Sequence, residues 1–167
     1  MICSCYSQTK EMKTVQGNEI SSAICILFPT EGSNVKGIVK FKQTEDGINI
    51  IADVVGLTPG KHGFHIHEYG DCSSLDGKSA GGHFNPENKK HGAPDDKERH
   101  VGDFGNLVAD ENGKAHYERT DAFISFSGTN NIIGRAIIIH SGEDDLVTQP
   151  TGNAGSRLAC GVIGLAK

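Results

Sequence analysis

The chain has 167 residues, a formal net charge of -5, 22 glycines, no tryptophan and 6% aromatic residues. That length suits one domain with a core of its own. The acidic balance argues against a nucleic-acid partner, which would meet a basic patch, and no stretch approaches the ~18 apolar residues of a helix that crosses a membrane.

Residues 1–21 are polar and without periodicity, so they read as a flexible N-terminal extension before a domain over 22–167. Cys3 and Cys5 lie in that extension. They read as free thiols, with metal binding or a clipped lipoprotein start as the alternatives. The start has no apolar core of the length a secretory signal needs, so the sequence as written reads as cytoplasmic. A true start further upstream would make it periplasmic or extracellular.

Short apolar or alternating runs then recur between turn residues. They cover Ala23 to Phe28, Val35 to Lys42, Ile48 to Val55 and His62 to His67. Four more cover Gly105 to Ala109, Ala115 to Thr120, Gly134 to His140 and Gly161 to Ala166. Turn signals separate several of them: Glu45-Asp46-Gly47, Thr58-Pro59-Gly60 and Asp110-Glu111-Asn112-Gly113. About eight strands and no amphipathic helix predict an all-β sandwich or barrel. Two stretches break the rhythm, 68–104 and 141–159. Long loops in a compact domain are usually functional or disordered.

The eight histidines are spaced informatively. His65 and His67 alternate on a strand, so they share one face while Phe64 and Ile66 point to the core. Two such imidazoles suit copper or zinc; the pair taken alone also suits a polar outer strand face. His83, His91, His100 and Asp103 follow at spacings of 8, 9 and 3. Three imidazoles and one carboxylate make a complete tetrahedral zinc set. A solvated loop that happens to hold histidines is the other reading. The glycines and prolines around His83 and His91 oppose it, because they suit defined turns. His140 ends the apolar run Ile137-Ile138-Ile139, where its side chain could reach a neighbouring site.

Six segments in order, GFHIHEYGD, SAGGHFNP, HGAPDD, RHVGDFGN, IIGRAIIIH and TGNAGSRLACGVIG, resemble the copper/zinc superoxide dismutases over roughly residues 23–166. The resemblance implies an eight-stranded antiparallel Greek-key β-sandwich or barrel, immunoglobulin-like, with two long functional loops. It implies copper on His65, His67, His83 and His140, and zinc on His83, His91, His100 and Asp103. Seven residues then serve two four-coordinate ions, so one must serve twice; only imidazole has two ring nitrogens able to do so. A bridging His83 would hold the ions about 6 Å apart.

By the same resemblance, Asp144 orients His65 and His91 from behind. Arg157 guides the anion, Cys72 and Cys160 form a disulfide, and His62 is structural. The implied reaction turns two superoxide anions and two protons into dioxygen and hydrogen peroxide, with catalytic roles for Arg157 and His83. A homodimer paired through Ile132-Ile133-Gly134 and Gly164-Leu165 and a copper chaperone are the implied protein partners. His116 falls outside every motif and reads as a surface histidine, and Cys25 as a buried thiol.

Two features depart from the animal enzymes. Cys72 precedes His83 by eleven residues, as in bacterial members, and Ser141 to Ser156 contains no lysine or arginine. Arg157 is therefore expected to dominate guidance, with Lys78, Lys89 and Lys90 as candidate substitutes for the missing cations. A copper-carrying or zinc-storage module on the same fold is the rival reading. A purely structural sandwich would leave the seven ordered metal donors unexplained.

Overall fold

The computed structural model describes residues 20–167. Cys3, Cys5 and nearly all of the expected extension lie outside the described residues. Eight antiparallel strands follow: β1 (Ser22–Pro29), β2 (Lys36–Thr44), β3 (Gly47–Val55), β4 (Gly60–His67), β5 (Asp103–Ala109), β6 (Lys114–Asp121), β7 (Ala136–His140) and β8 (Arg157–Leu165). Their order around the sheet is β1-β2-β3-β6-β5-β4-β7-β8, and β8 pairs back onto β1, so the barrel closes. Closure removes the exposed strand edges that an open sheet would present. The seam between β5 and β6 is the thinnest, with one ladder pair, Ala109 with Ala115.

Alternation explains most of these strands. Along β3, Ile48, Ile50, Ala52 and Val54 are buried and the residues between them are not. Their inward side chains meet Val39 and Phe41 of β2, Phe64 and Ile66 of β4, and Phe104 and Leu107 of β5 in one core. Phe64 lies 5.4 Å from Phe104 and 5.1 Å from Tyr117 between ring centroids. The Cys25 thiol faces this core, where burial pushes its pKa up to about 12.

Strand β4 departs from alternation: His62 to His67 are all buried. Its inner face meets the core, and its outer face is covered by the two long loops. The polar outer face that the His65/His67 pattern also suits is therefore not solvated. Two strand starts differ from expectation as well. Asp103 is the first residue of β5, not part of a loop, and Arg157 already opens β8. Pairing across the sheet recruits both, since Asp103 partners His65 and Arg157 partners His140.

The first long loop is tied down by the Cys72–Cys160 disulfide, with Cα atoms 5.7 Å apart. It also contains one short 3-10 turn, Lys78–Ala80. A buried ion pair anchors its far end. Arg99 is 1% exposed and bonds Asp121 Oδ2 of β6 at 2.5 Å. The same guanidinium donates to the carbonyls of His100, Val101 and Asp103. Phe123 covers it at 4.3 Å.

Candidate metal centre

The ladder brings the site residues together. His65 faces Asp103 on one side of β4 and Ile138 on the other, His67 bridges to His83, and His140 faces Arg157 across a bulge. One ring nitrogen each from His65, His67, His83 and His140 forms a group within 4.8 Å. Donors from His83, His91, His100 and Asp103 form a second group within the same limit, so His83 belongs to both. The His83 ring lies 4.0 Å from that of His65 and 5.3 Å from that of His91, between centroids.

His65, His67, His91 and His140 are each held through one nitrogen and leave the other facing a group. His67 Nδ1 donates to Gly81 O at 2.9 Å and His140 Nδ1 to Gly155 O at 3.3 Å. Their Nε2 atoms then face one another at 3.3 Å. Asp144 accepts from His65 Nε2 at 2.7 Å with one oxygen and from His91 Nε2 at 2.9 Å with the other. Asp103 lies within 3.2 Å of Nδ1 of His83, His91 and His100.

Four buried ring nitrogens have no hydrogen-bond partner: His65 Nδ1, His83 Nε2, His91 Nδ1 and His100 Nδ1. An unpartnered buried polar atom costs free energy. Here the four point at two shared centres, as metal ligands must. The donor chemistry agrees, with four imidazoles on one side and three imidazoles and a carboxylate on the other.

Titration follows from the same crowding. Burial, then the neighbouring imidazoles, hold His67 and His140 well below the usual histidine range. Burial and His65 lower His83 to about 3 despite its contact with Asp103. His91 goes the other way. Burial opposes its charging, but the Asp103 carboxylate 3.0 Å from Nδ1 and the hydrogen bond to Asp144 outweigh that and lift it to about 9. Burial would raise the pKa of both acids, yet their histidine partners hold Asp103 and Asp144 far below the carboxylate range. Four rings held neutral, those of His65, His67, His83 and His140, beside two ionised carboxylates are in the protonation state that binds cations.

Several supporting residues carry no spacing signal. Asn106 of β5 donates to Asp144 O and accepts from Asp144 N, both at 2.8 Å. Gln149 clamps the His91 backbone the same way, at 2.8 and 2.9 Å. Asn106 lies inside the RHVGDFGN segment and could have been picked out there; nothing in the chain marks Gln149. Gly152 adopts φ +68, and a side chain there would collide with Asp144 and His91, so glycine is required by both conformation and space. His62 is structural as expected, its Nδ1 donating to His140 O at 2.8 Å. His116 is exposed, paired with Asp53 at 2.7 Å on the barrel wall.

A cleft of about 550 Å3 opens onto His67 and His140, and Arg157, Lys78 and Thr151 line it. Arg157 donates to the carbonyls of Gly77 at 2.7 Å and Gly81 at 2.6 Å. Of the three candidate lysines, Lys78 alone lines this cleft. Lys89 instead pairs with Glu87 at 2.7 Å and lies over Phe123.

Comparison with known proteins decides the family. Residues 35–163 match the family described as Copper/zinc superoxide dismutase (SODC). The chain belongs to that family. It is 49% identical to Superoxide dismutase [Cu-Zn] A of Xenopus laevis over 149 residues, covering 85% of this chain and 96% of that one. It is 47% identical to Superoxide dismutase [Cu-Zn] of Paramecium bursaria Chlorella virus 1, covering 96% of this chain and 87% of that one. The crystal structure of the clock protein EA4 superposes with a TM-score of 0.82 at 45% identity, covering 90% of this chain and 98% of that one. Copper and zinc are thus the ions of this dismutase family, and its histidine clusters suit them.

Proposed function

We propose that the two groups are one catalytic centre for superoxide. Copper belongs on His65, His67, His83 and His140, and zinc on His83, His91, His100 and Asp103. The observation that carries this reading is that one ring, His83, belongs to both groups. When bound, copper supplies one-electron exchange between two oxidation states and zinc supplies a fixed charge without redox chemistry.

The chain's own residues do the rest. Arg157 presents a fixed cation beside His140, where it binds the anion and sets its approach. Its two carbonyl contacts keep the guanidinium from folding away. Asp103 lies 2.8 Å from His83 Nδ1 and would fix the ring from that side through the zinc they share, so that Nε2 faces the substrate side and can hold one of the two protons that end in hydrogen peroxide. Asp144, itself clamped by Asn106, keeps His65 and His91 in register with each other. The buried core beneath β4 keeps water from the back of the site.

A test is to load the purified protein with copper and zinc and assay superoxide consumption. One equivalent of each per chain with fast turnover is the expected result. Both ions bound without turnover would overturn the catalytic reading in favour of a carrier.

We also infer that the chain pairs with a second copy. The face around β1, β8 and the disulfide loop exposes Ile26, Phe28, Leu75, Val162 and Leu165, an apolar surface that a self-complementary interface would cover. Ile132 does not contribute to it, because it is fully buried in the core. Sedimentation giving a monomer at micromolar concentration would refute this pairing.

A further inference from the structure

Two cations face the cleft from different elements, and one short turn couples them. Arg157 opens β8, while Lys78 opens the 3-10 turn of the first long loop. The Arg157 guanidinium donates to the carbonyls of Gly77 and Gly81, which bracket that turn on its two sides. Fixing Arg157 therefore fixes the backbone that carries Lys78. Both side chains line the cleft with His67 and His140. The second long loop contributes no lysine or arginine over residues 141–156.

Lys78 is not a free cation. Its ammonium pairs with Asp76 at 2.8 Å, and its side chain is 79% exposed. Asp76 also accepts the Lys78 backbone N–H at 3.0 Å, which keeps the carboxylate at this corner of the cleft. Glu31 is a second acid on the same lining. The cleft mouth thus carries two cations and two carboxylates in close register. An anion arriving from solvent meets the sum of these charges within about one Debye length, roughly 10 Å at 0.1 M salt.

We propose that Lys78 is a second guiding residue for the anionic substrate and that Asp76 acts as its brake. This rests on the dismutase reading given above. Lys78 attracts the anion toward Arg157, and Asp76 cancels part of that attraction. An exposed pair of this kind is held weakly, so removing the acid frees the lysine charge without dismantling the turn. Asn at position 76 can still accept the Lys78 N–H, which makes Asp76→Asn the informative change.

The test uses the copper- and zinc-loaded full chain and four proteins: the parent, Lys78→Gln, Asp76→Asn and Lys42→Gln. Lys42 is exposed on β2 and does not line the cleft; its variant has the same net charge as Lys78→Gln. Pulse radiolysis then gives the second-order rate constant against ionic strength. At low salt Lys78→Gln should be slower by about two- to fivefold, a modest share of the 10–10³ that steering as a whole supplies, with a shallower salt dependence. Asp76→Asn should be faster than the parent with a steeper salt dependence, and Lys42→Gln should change less than Lys78→Gln. Azide titrated onto the bound copper, read by its optical band, should bind more weakly to Lys78→Gln and more tightly to Asp76→Asn. The proposal fails if Lys78→Gln matches the parent, if Lys42→Gln costs as much, or if Asp76→Asn slows the reaction. A loaded parent without turnover would sink the dismutase reading instead, and the azide series would still decide Lys78.

Discussion

Asp144 is buried completely, yet it contacts neither proposed ion. Its two oxygens hold one histidine of each group. Asp144→Ala leaves the Nε2 atoms of His65 and His91 buried and unpartnered, and both rings lose their orientation. We expect about 10–100-fold weaker binding of both ions, the usual cost of losing such a partner; competition with a chelator measures it, and loss of one affinity alone would contradict the shared role. Arg157 is the other decisive side chain. With no cation from residues 141–156 to share its task, Arg157→Ala should slow the second-order reaction by about tenfold and flatten its salt dependence. An unchanged rate and salt slope would remove it from guidance. The residue types of the candidate donors were legible from spacing, and the arginine from its resemblance to the family's segment. Which nitrogen of each ring faces the ion was not, because the partner of the other nitrogen comes from a distant loop.

At the level of elements, two fastenings hold the long loops to the barrel. The disulfide joins residues 88 apart, and in the loop-entropy model such a link contributes up to about 4–5 kcal/mol. Replacing both Cys72 and Cys160 by Ser should lower the free energy of unfolding toward that amount. It should also lower turnover, since the freed loop carries the carbonyls that hold Arg157. Denaturant titration and the superoxide assay on the same variant check the two effects. The second fastening is the Arg99–Asp121 pair. Asp121→Asn strands a fully buried guanidinium, for which about 3–5 kcal/mol is expected. Because Arg99 also gathers the carbonyls of His100 and Asp103, zinc affinity should fall in the same variant. Normal zinc affinity would limit the pair to a stabilising role. Arg99 sits inside a motif, but its burial against a strand that begins 15 residues later could not be read there.

For the whole molecule, the ions and the fold are linked. The proposed donors from β4, the first long loop, β5 and β7 converge only in the folded chain, so ions bound there would stabilise the native state by mass action. Removing both ions with a chelator should lower the melting temperature, and restoring zinc alone should recover part of the loss. Calorimetry with equal melting temperatures for the stripped and loaded protein would argue against a folded-state site. The eight strands to within a few residues, the all-β class and the residue types of the candidate donors were legible in the amino-acid order. Those properties depend on side-chain alternation and residue type, which are local. The tertiary structure alone decided that the outer face of β4 is buried, that Asp103 and Arg157 stand on strands, that Ile132 belongs to the core, and that Lys78 rather than Lys89 reaches the cleft. Each of these depends on which distant segment packs against the residue, and barrel closure and loop docking set that over separations no local pattern encodes.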